Sequence, residues 1–365
     1  MSNRRTLLNR RQFGALVTGA YLTSVCAGDE RNRHKEVSWL ADVQQPLLAN
    51  NNDGLNLASI MPPAATLEDW LERRKQLRQS WLTFLGSIKR PNTPPATKVI
   101  TEDRVGSVVR QLIGYESEPG WPTEAYVLRP AADATRLLPG VVVFHSTVAH
   151  SIRQPAGVEG NPSKAFGLKL AERGFVTLCP RNFLWPDNHT IDTDSQTQRF
   201  ENLHPDSKGM AKMLFDAQVA VDLLASMAGV NADRIGAVGH SLGAKEVLYL
   251  AAFDERIKVT VSSEGGIGTR FSNWDAPWYL GPEIKDPSFS QEHHELLALV
   301  APQPFLLVGG DSADGNRSWP FIAAALPIYR LYGQVSRVGL FNHQQGHAVP
   351  PIAEKRIYEW IENYL

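Results

Sequence analysis

A serine between two glycines is the first feature of this sequence that could carry chemistry. The segment GHSLG, from Gly239 to Gly243, follows the apolar run RIGAV and precedes the helix-like run AKEVLYLAAF. A G-x-S-x-G match occurs by chance in about one chain in ten of this length, so the flanking strand and helix matter more than the match itself. Such a strand-to-helix turn presents its serine oxygen at the start of the helix. We therefore predict that Ser241 is a nucleophile rather than a helix cap.

A serine hydroxyl needs a base within hydrogen-bonding distance to react at neutral pH. Of the ten histidines, His347 follows the last apolar strand, in the loop LFNHQQGHAVPP, where a base should lie. His343 could pair with it on a metal, but Gly346 and the prolines after His347 disfavour the helix that would align the two rings. No third ligand cluster accompanies the pair. We predict His347 as the base, with no metal and no cofactor.

An acid should orient the imidazole and stabilise its cation. Three carboxylates follow strand-like runs and precede His347: Glu264 in VTVSSEGGIG, and Asp311 and Asp314 in PFLLVGGDSADG. The order serine, acid, histidine is the one expected for this arrangement. Either aspartate could instead close a turn or cap a helix, so the residues alone leave the acid open.

Backbone N–H groups should stabilise the negative oxygen that forms when the serine attacks a carbonyl. We expect one from Leu242, and one from the loop after GVVVFHST, at Ser146 or Thr147. His145 either shapes this loop or simply packs at the end of its strand.

Four side chains are candidates for contacting a substrate. Lys245 and Arg153 could face an acidic group, and Trp274 and Trp278 could stack on a sugar ring. Packing is the alternative for each of them.

The elements that must position these groups alternate between apolar strands and helices from residue 140 onward. Strand-like runs at 140–144, 175–179, 234–239, 258–263, 304–310 and 337–342 are separated by helical patterns. This alternation predicts an α/β fold with a mostly parallel sheet covered by helices on both faces. Two further strands at 104–115 and 123–130 suit the sheet edge, and an insertion at 265–291 lies over the strand ends.

The N-terminus and the composition bound the rest of the interpretation. Residues 1–27 have a basic start, the pair Arg10 and Arg11, and a short apolar run, which predicts a twin-arginine-type export signal, with a lipoprotein acylated at Cys26 as the alternative. The apolar run is too short for a stable membrane anchor. The formal net charge of −1 disfavours nucleic acid as a partner. Residues 28–95 are expected to form a linker and a helical wrap, with a helix from Thr66, and 96–365 the main domain.

Over residues 95–365 the chain resembles the α/β-hydrolase superfamily. The segments GVVVFHST, GHSLGAKEVLYLAAFDERI, HHELLALVAPQPFLLVGGDSAD and HQQGHAVP are similar to dienelactone-hydrolase-like and acetylxylan-esterase-like carbohydrate esterases, with some likeness to bacterial glucuronoyl esterases. Leu242 stands where glucuronoyl esterases carry an arginine. An ungapped comparison with them places Asp314 on the aspartate they often carry, and Glu264 on the acid that some use instead.

The resemblance implies a serine hydrolase that cleaves an ester of a carbohydrate or a related small molecule. The N-terminal signal predicts that it is secreted, and the small insertion at 265–291, without a long apolar lid helix, predicts a short acyl group. We predict the triad Ser241, His347 and Asp314, with Glu264 as the second choice of acid and Asp311 as the third. A glucuronoyl-type esterase, a serine peptidase of the same fold and a non-catalytic binding protein are the alternative functions. The sequence predicts no oligomeric state.

Overall fold

A nine-stranded sheet forms the centre of the protein, with the strand order β1-β2-β3-β5-β4-β6-β7-β8-β9. A computed structural model describes residues 36–46, 55, 57–132 and 136–365. The predicted export signal, Arg10, Arg11 and Cys26 lie outside the described residues. The strands are β1 (Lys98–Val105), β2 (Val108–Glu118), β3 (Trp121–Pro130), β4 (Leu138–Phe144), β5 (Val176–Pro180), β6 (Val230–His240), β7 (Ile257–Ser263), β8 (Phe305–Gly309) and β9 (Val338–Asn342).

Eight α-helices are assigned within the described residues. They are α1 (Leu67–Leu85), α2 (Phe166–Glu172), α3 (Thr193–Leu203), α4 (Gly209–Ser226), α5 (Leu242–Phe253), α6 (His294–Val300), α7 (Trp319–Leu331) and α8 (Pro351–Tyr364). The neighbouring strands from β1 through β2 and β3 to β5 pair antiparallel. From β5 through β4, β6, β7 and β8 to β9, neighbouring strands pair in parallel. The mostly parallel sheet with helices on both faces confirms the predicted α/β-hydrolase fold.

The side chains of β4 show how both faces of the sheet are covered. Val141 and Val143 pack into one apolar cluster together with residues of α2 and α8. Val142 and Phe144 point to the opposite face, where they join residues of α4 and α5. This alternation follows from the two-residue period of a strand, and an apolar residue at every position is what burial on both faces requires.

Two elements differ from the sequence-based prediction. The run at 104–115, predicted as one strand, is a hairpin in which Val105 pairs with Val108. Gly106 lies in the turn with φ of 57°, a left-handed conformation that glycine adopts without steric cost. Helix α3, whose sequence TDSQTQRFENL has few apolar residues, was not predicted.

Helix α1 begins where it was predicted. The Thr66 hydroxyl accepts from the Asp69 N–H while the Asp69 carboxylate accepts from the Thr66 N–H, which is a capping box. Its buried face includes Trp70 and Trp81. The Trp81 indole donates to Glu295 over 2.8 Å, which ties this helix to the main body of the protein.

Candidate active site

Ser241 occupies a sharp turn between β6 and α5. Its φ of 60° and ψ of −116° are unusual for a residue with a side chain, and its N–H donates to the Ser263 carbonyl over 2.8 Å. A β-carbon on Gly239 would lie 2.2 Å from the Gly243 backbone, and one on Gly243 would lie 2.5 Å from the Phe144 carbonyl oxygen. The two glycines are therefore required by the close approach of strand and helix, and the strained turn holds the serine between them.

His347 lies in the loop after β9, directly beside this turn. Its imidazole packs against that of His240, the residue before Ser241, with the ring centres 4.8 Å apart. The loop is attached to the end of β8 because Gly346 donates to the Gly310 carbonyl over 2.7 Å. The serine and the histidine therefore lie at the same end of the sheet, as the sequence predicts.

Glu264 is the carboxylate that contacts His347. Its Oε2 lies 3.2 Å from Nδ1 of His347 and accepts from the Ala313 N–H over 2.7 Å, and its Oε1 accepts from the Gly310 N–H. The side chain is buried, and these two backbone donors stabilise its negative charge. Glu264 has φ of 58°, and a β-carbon on the next residue, Gly265, would lie 2.8 Å from the Ala244 Cβ.

The prediction of Asp314 as the orienting acid needs correction. Its carboxylate accepts from the N–H groups of Gly266 and Ile267, over 2.7 and 2.8 Å, and from the Ser318 hydroxyl over 2.8 Å. It is fully buried, and burial raises its pKa. Asp314 therefore fastens the loop that follows Glu264 instead of contacting His347.

Asp311 is part of the turn after β8. It has φ of 64°, and its Oδ1 accepts from the Asn342 side chain over 2.6 Å and from the Asn316 N–H over 3.2 Å. Like Asp314, it has no contact with the imidazole of His347. The sequence signal that favoured Glu264 was the Gly-Gly pair after it, which lets the backbone turn back.

The predicted backbone donors are not equally available. Leu242 is the first residue of α5, so its N–H has no partner within the helix. The Ser146 N–H already donates to the side chain of Gln154 over 3.3 Å, which argues against its predicted role. Thr147, the next residue, is exposed and is the better placed of the two loop candidates.

Lys245 is buried below the serine turn, and its ammonium is enclosed by aromatic rings. Its Nζ lies 3.9 Å from the ring centre of Trp274 and 4.9 Å from that of Tyr279. It has no hydrogen-bond partner among the described residues. Burial lowers its pKa to about 7 although the charge of Asp314 opposes this shift, so the ammonium loses its proton near neutral pH.

The other three predicted substrate contacts differ in accessibility. Trp274 is only 1% exposed and donates to the Gly266 carbonyl over 2.7 Å, so its ring is part of the core and cannot stack on a sugar. Trp278 is half-buried and keeps a partly open ring. Arg153 forms an ion pair with Glu159 over 2.9 Å, so its charge is already paired.

Comparison with known proteins agrees with this geometry. Residues 123–298 match the model of the dienelactone hydrolase family. The matched segment includes the turn of Ser241 and the acid Glu264, whereas His347 follows it in the chain. YtaP of Bacillus subtilis (strain 168), named as a hydrolase, is 27% identical over 256 residues, which are 66% of this chain and 80% of YtaP.

Solved structures extend the likeness to most of the chain. A glucuronoyl esterase from Solibacter usitatus superposes with a TM-score of 0.66 at 17% identity, over 85% of this chain and 98% of that one. An acetyl xylan esterase from Paenibacillus sp. R4 superposes with a TM-score of 0.53 at 17% identity, over 91% of this chain and all of that one, 100%. These likenesses establish the fold.

The described part of the chain has neither a metal-ligand cluster nor a membrane-spanning helix. Residues 36–46, 55, 57–132 and 136–365 contain no group of three or more His, Cys, Asp or Glu side chains that could hold a metal ion. Within the same ranges, no helix has both the length and the apolar character needed to cross a membrane.

Proposed function

We propose that this protein is an exported serine esterase that hydrolyses short-chain acyl esters of a carbohydrate or a related small molecule. The contact between His347 Nδ1 and the buried Glu264 carboxylate, beside the turn that carries Ser241, is the observation that supports it most strongly. A carboxylate at Nδ1 leaves Nε2 as the proton acceptor, as a serine nucleophile requires.

The reaction follows from this arrangement. The Ser241 oxygen attacks the ester carbonyl while His347 Nε2 takes the hydroxyl proton, and the Glu264 carboxylate stabilises the resulting imidazolium. The negative oxygen of the tetrahedral intermediate accepts hydrogen bonds from the Leu242 and Thr147 N–H groups. Collapse of this intermediate breaks the ester bond, and His347 gives its proton to the leaving alcohol. A water molecule then attacks the acyl-enzyme by the same route and releases the acid.

Two observations bear on the substrate. The segment 265–291 contains one 3-10 turn, Pro282–Lys285, and no α-helix that could form a long apolar lid. A short acyl group fits such a site better than a fatty acyl chain does. The names of the structural neighbours, glucuronoyl esterase and acetyl xylan esterase, suggest a sugar.

The same neighbours point to a second candidate, a uronate ester. In an acetylated sugar the carbohydrate is the leaving alcohol, whereas in a methyl uronate it is the acyl group. The likeness to glucuronoyl esterases supports the uronate, and Leu242 in place of their arginine supports the acetyl ester.

A substrate panel tests the proposed function. The mature protein is assayed with p-nitrophenyl acetate, acetylated xylan, methyl glucuronate and a peptide anilide, with Ser241→Ala as the control. We expect the wild-type protein to cleave the two acetyl esters and Ser241→Ala to cleave neither of them. Preferred cleavage of methyl glucuronate would select the second candidate, preferred cleavage of the anilide would identify a peptidase, and no turnover at all would favour a binding protein.

A further inference from the structure

A buried hydrogen-bond chain connects helix α5 to the loop that follows β4. The Glu246 Oε1 accepts from the Asn182 side-chain amide over 3.0 Å. The backbone N–H of Asn182 donates to Nε2 of His145 over 3.1 Å, and Nδ1 of His145 bonds the Ser146 carbonyl over 2.8 Å. All four residues are buried, with exposed fractions from 1% to 5%.

These hydrogen bonds determine which nitrogen of His145 carries the proton. A backbone N–H can only donate, so Nε2 must accept from Asn182 and is therefore unprotonated. The Ser146 carbonyl can only accept, so Nδ1 carries the hydrogen. Burial lowers the pKa of His145 to about 4, which agrees with a neutral ring. The edge of the ring also meets the Trp185 ring, with centres 4.6 Å apart.

The bond from His145 orients one peptide plane. The Ser146 carbonyl and the Thr147 N–H belong to the same planar trans peptide group and point in opposite directions. A donor on the carbonyl therefore also sets the direction of the Thr147 N–H. The Ser146 carbonyl accepts a second bond, from Val148 over 2.9 Å, and the Val148 carbonyl accepts from the Trp185 indole over 2.9 Å.

The other end of this series of hydrogen bonds lies on α5, the helix that begins directly after Ser241. Glu246 is four residues after Leu242 in α5, so the two residues lie on the same face of the helix. The chain thus connects the loop of Thr147 to the helix whose first N–H belongs to Leu242. These are the two N–H groups that the proposed mechanism assigns to the oxyanion.

Asn182 is held at both ends of its side chain. Its Oδ1 accepts from the Leu184 N–H over 3.0 Å while its amide nitrogen donates to Glu246. Burial raises the pKa of Glu246 to about 8, so the carboxyl is mostly neutral at pH 7 and adds little negative charge near a developing oxyanion. Its Oε2 has no partner among the described residues.

We propose that Asn182 and Glu246 are positioning residues of the esterase reaction, an inference that rests on the proposed function. Acting through His145, they hold the Thr147 N–H at the spacing from Leu242 that the tetrahedral intermediate requires. They touch neither the substrate nor the reacting atoms. Their loss should therefore weaken stabilisation of the transition state while leaving binding of the ground state almost unchanged.

A matched pair of variants tests this role. Glu246→Gln keeps the acceptor oxygen and the size of the side chain, whereas Glu246→Met keeps the size and removes the acceptor. Asn182→Ser is a second test, because a serine can still accept from the Leu184 N–H but is too short to reach Glu246. For each variant, kcat and KM are measured with p-nitrophenyl acetate, together with the inhibition constant of a boronic acid, which forms a tetrahedral adduct with the serine.

The deletion of one oxyanion donor lowers kcat by about 10² to 10³, so a misaligned donor should lower it by about tenfold or more. We expect Glu246→Met and Asn182→Ser to lose at least this factor in kcat and in boronic acid affinity, with KM within about twofold, and Glu246→Gln to stay within about threefold of wild type.

Variants that unfold at lower temperature but keep the wild-type kcat would show a purely structural role and overturn the inference. Equal losses in Glu246→Gln and Glu246→Met would also overturn it, because the accepting oxygen would then not matter. A wild-type protein that hydrolyses no ester would instead overturn the proposed function and this inference with it. If Glu246→Met does not fold, Asn182→Ser and the boronic acid measurement decide.

Discussion

Replacement of Glu264 by glutamine should abolish most of the activity. The Glu264 Oε2 and His347 Nδ1 are 3.2 Å apart, and Coulomb's law with an effective dielectric of about 20 gives about 5 kcal/mol for unit charges at that distance. The His347 side chain is 42% exposed, so solvent screening reduces this to about 4 kcal/mol. That energy corresponds to a decrease in kcat of about 10³ in Glu264→Gln.

The same substitution should also destabilise the fold. The two oxygens of Glu264 accept from the Gly310 and Ala313 N–H groups. In either orientation the glutamine amide would place its NH2 group against one of these donors, at a cost of about 1 to 3 kcal/mol. Activity must therefore be measured well below the unfolding temperature of the variant. Thermal melts followed by circular dichroism give that temperature.

Asp314→Asn is the matched control for this experiment. Its carboxylate accepts from two backbone N–H groups, as that of Glu264 does, but it has no contact with the imidazole of His347. We expect a comparable loss of stability with kcat within about tenfold of wild type. An inactive Asp314→Asn beside a nearly wild-type Glu264→Gln would refute the assignment of Glu264 and restore the prediction made from sequence.

Three further predictions concern stability, substrate and export. The folded pKa of Lys245, about 7, lies below its ordinary value of 10.5, so the stability that this group contributes above pH 10.5 is lost as the pH falls through 7. Lys245→Met should therefore unfold at a higher temperature than wild type at pH 7, and thermal melts should show this difference shrinking towards pH 10; a constant difference would contradict it. Acetate esters should be cleaved faster than octanoate esters, because the segment 265–291 forms no long lid, and the opposite ratio of kcat/KM would refute this. Replacement of Arg10 and Arg11 by lysine should retain the protein in the cytoplasm, as cell fractionation would show, and unchanged export would point to another route.

The serine turn could be predicted from sequence because its determinants are local. An added β-carbon on Gly239 or Gly243 would lie 2.2 to 2.5 Å from neighbouring backbone atoms, so both positions require glycine. This requirement appears in the sequence as the short motif G-x-S-x-G. His347 could be predicted for a similar reason, since it follows the last strand in a loop with glycine and proline around it.

The acid could not be predicted with the same means. The three candidates all follow strands β7 and β8, so the choice depends on which loop turns back towards His347. Glu264 does so through a left-handed φ of 58°, which is uncommon for a glutamate, and the Gly-Gly pair after it is the one local sign of this turn. Asp314 was the first choice from the sequence, but the N–H groups of Gly266 and Ile267, distant from it in the chain, take up its carboxylate.

Local sequence patterns also did not predict the hairpin at the sheet edge or the polar helix α3. The hairpin at Gly106 lies inside a run that reads as a single strand, and only the pairing of Val105 with Val108 reveals the turn. Helix α3 has few apolar residues, so its periodicity is weak, although Phe200 is fully buried. The hydrogen bonds that link Glu246, Asn182 and His145 join three segments that are far apart in sequence, so no local pattern predicts them.

Labelling of the serine tests the central claim most directly. The protein is treated with a fluorophosphonate, which forms a covalent bond with an activated serine, and the intact mass and the modified peptide are determined by mass spectrometry. We expect one adduct per chain, on the peptide that contains Ser241, no adduct in Ser241→Ala, and a parallel loss of ester hydrolysis of about 10⁴ or more in that variant. An adduct on another residue, or ester hydrolysis that persists in Ser241→Ala, would contradict it.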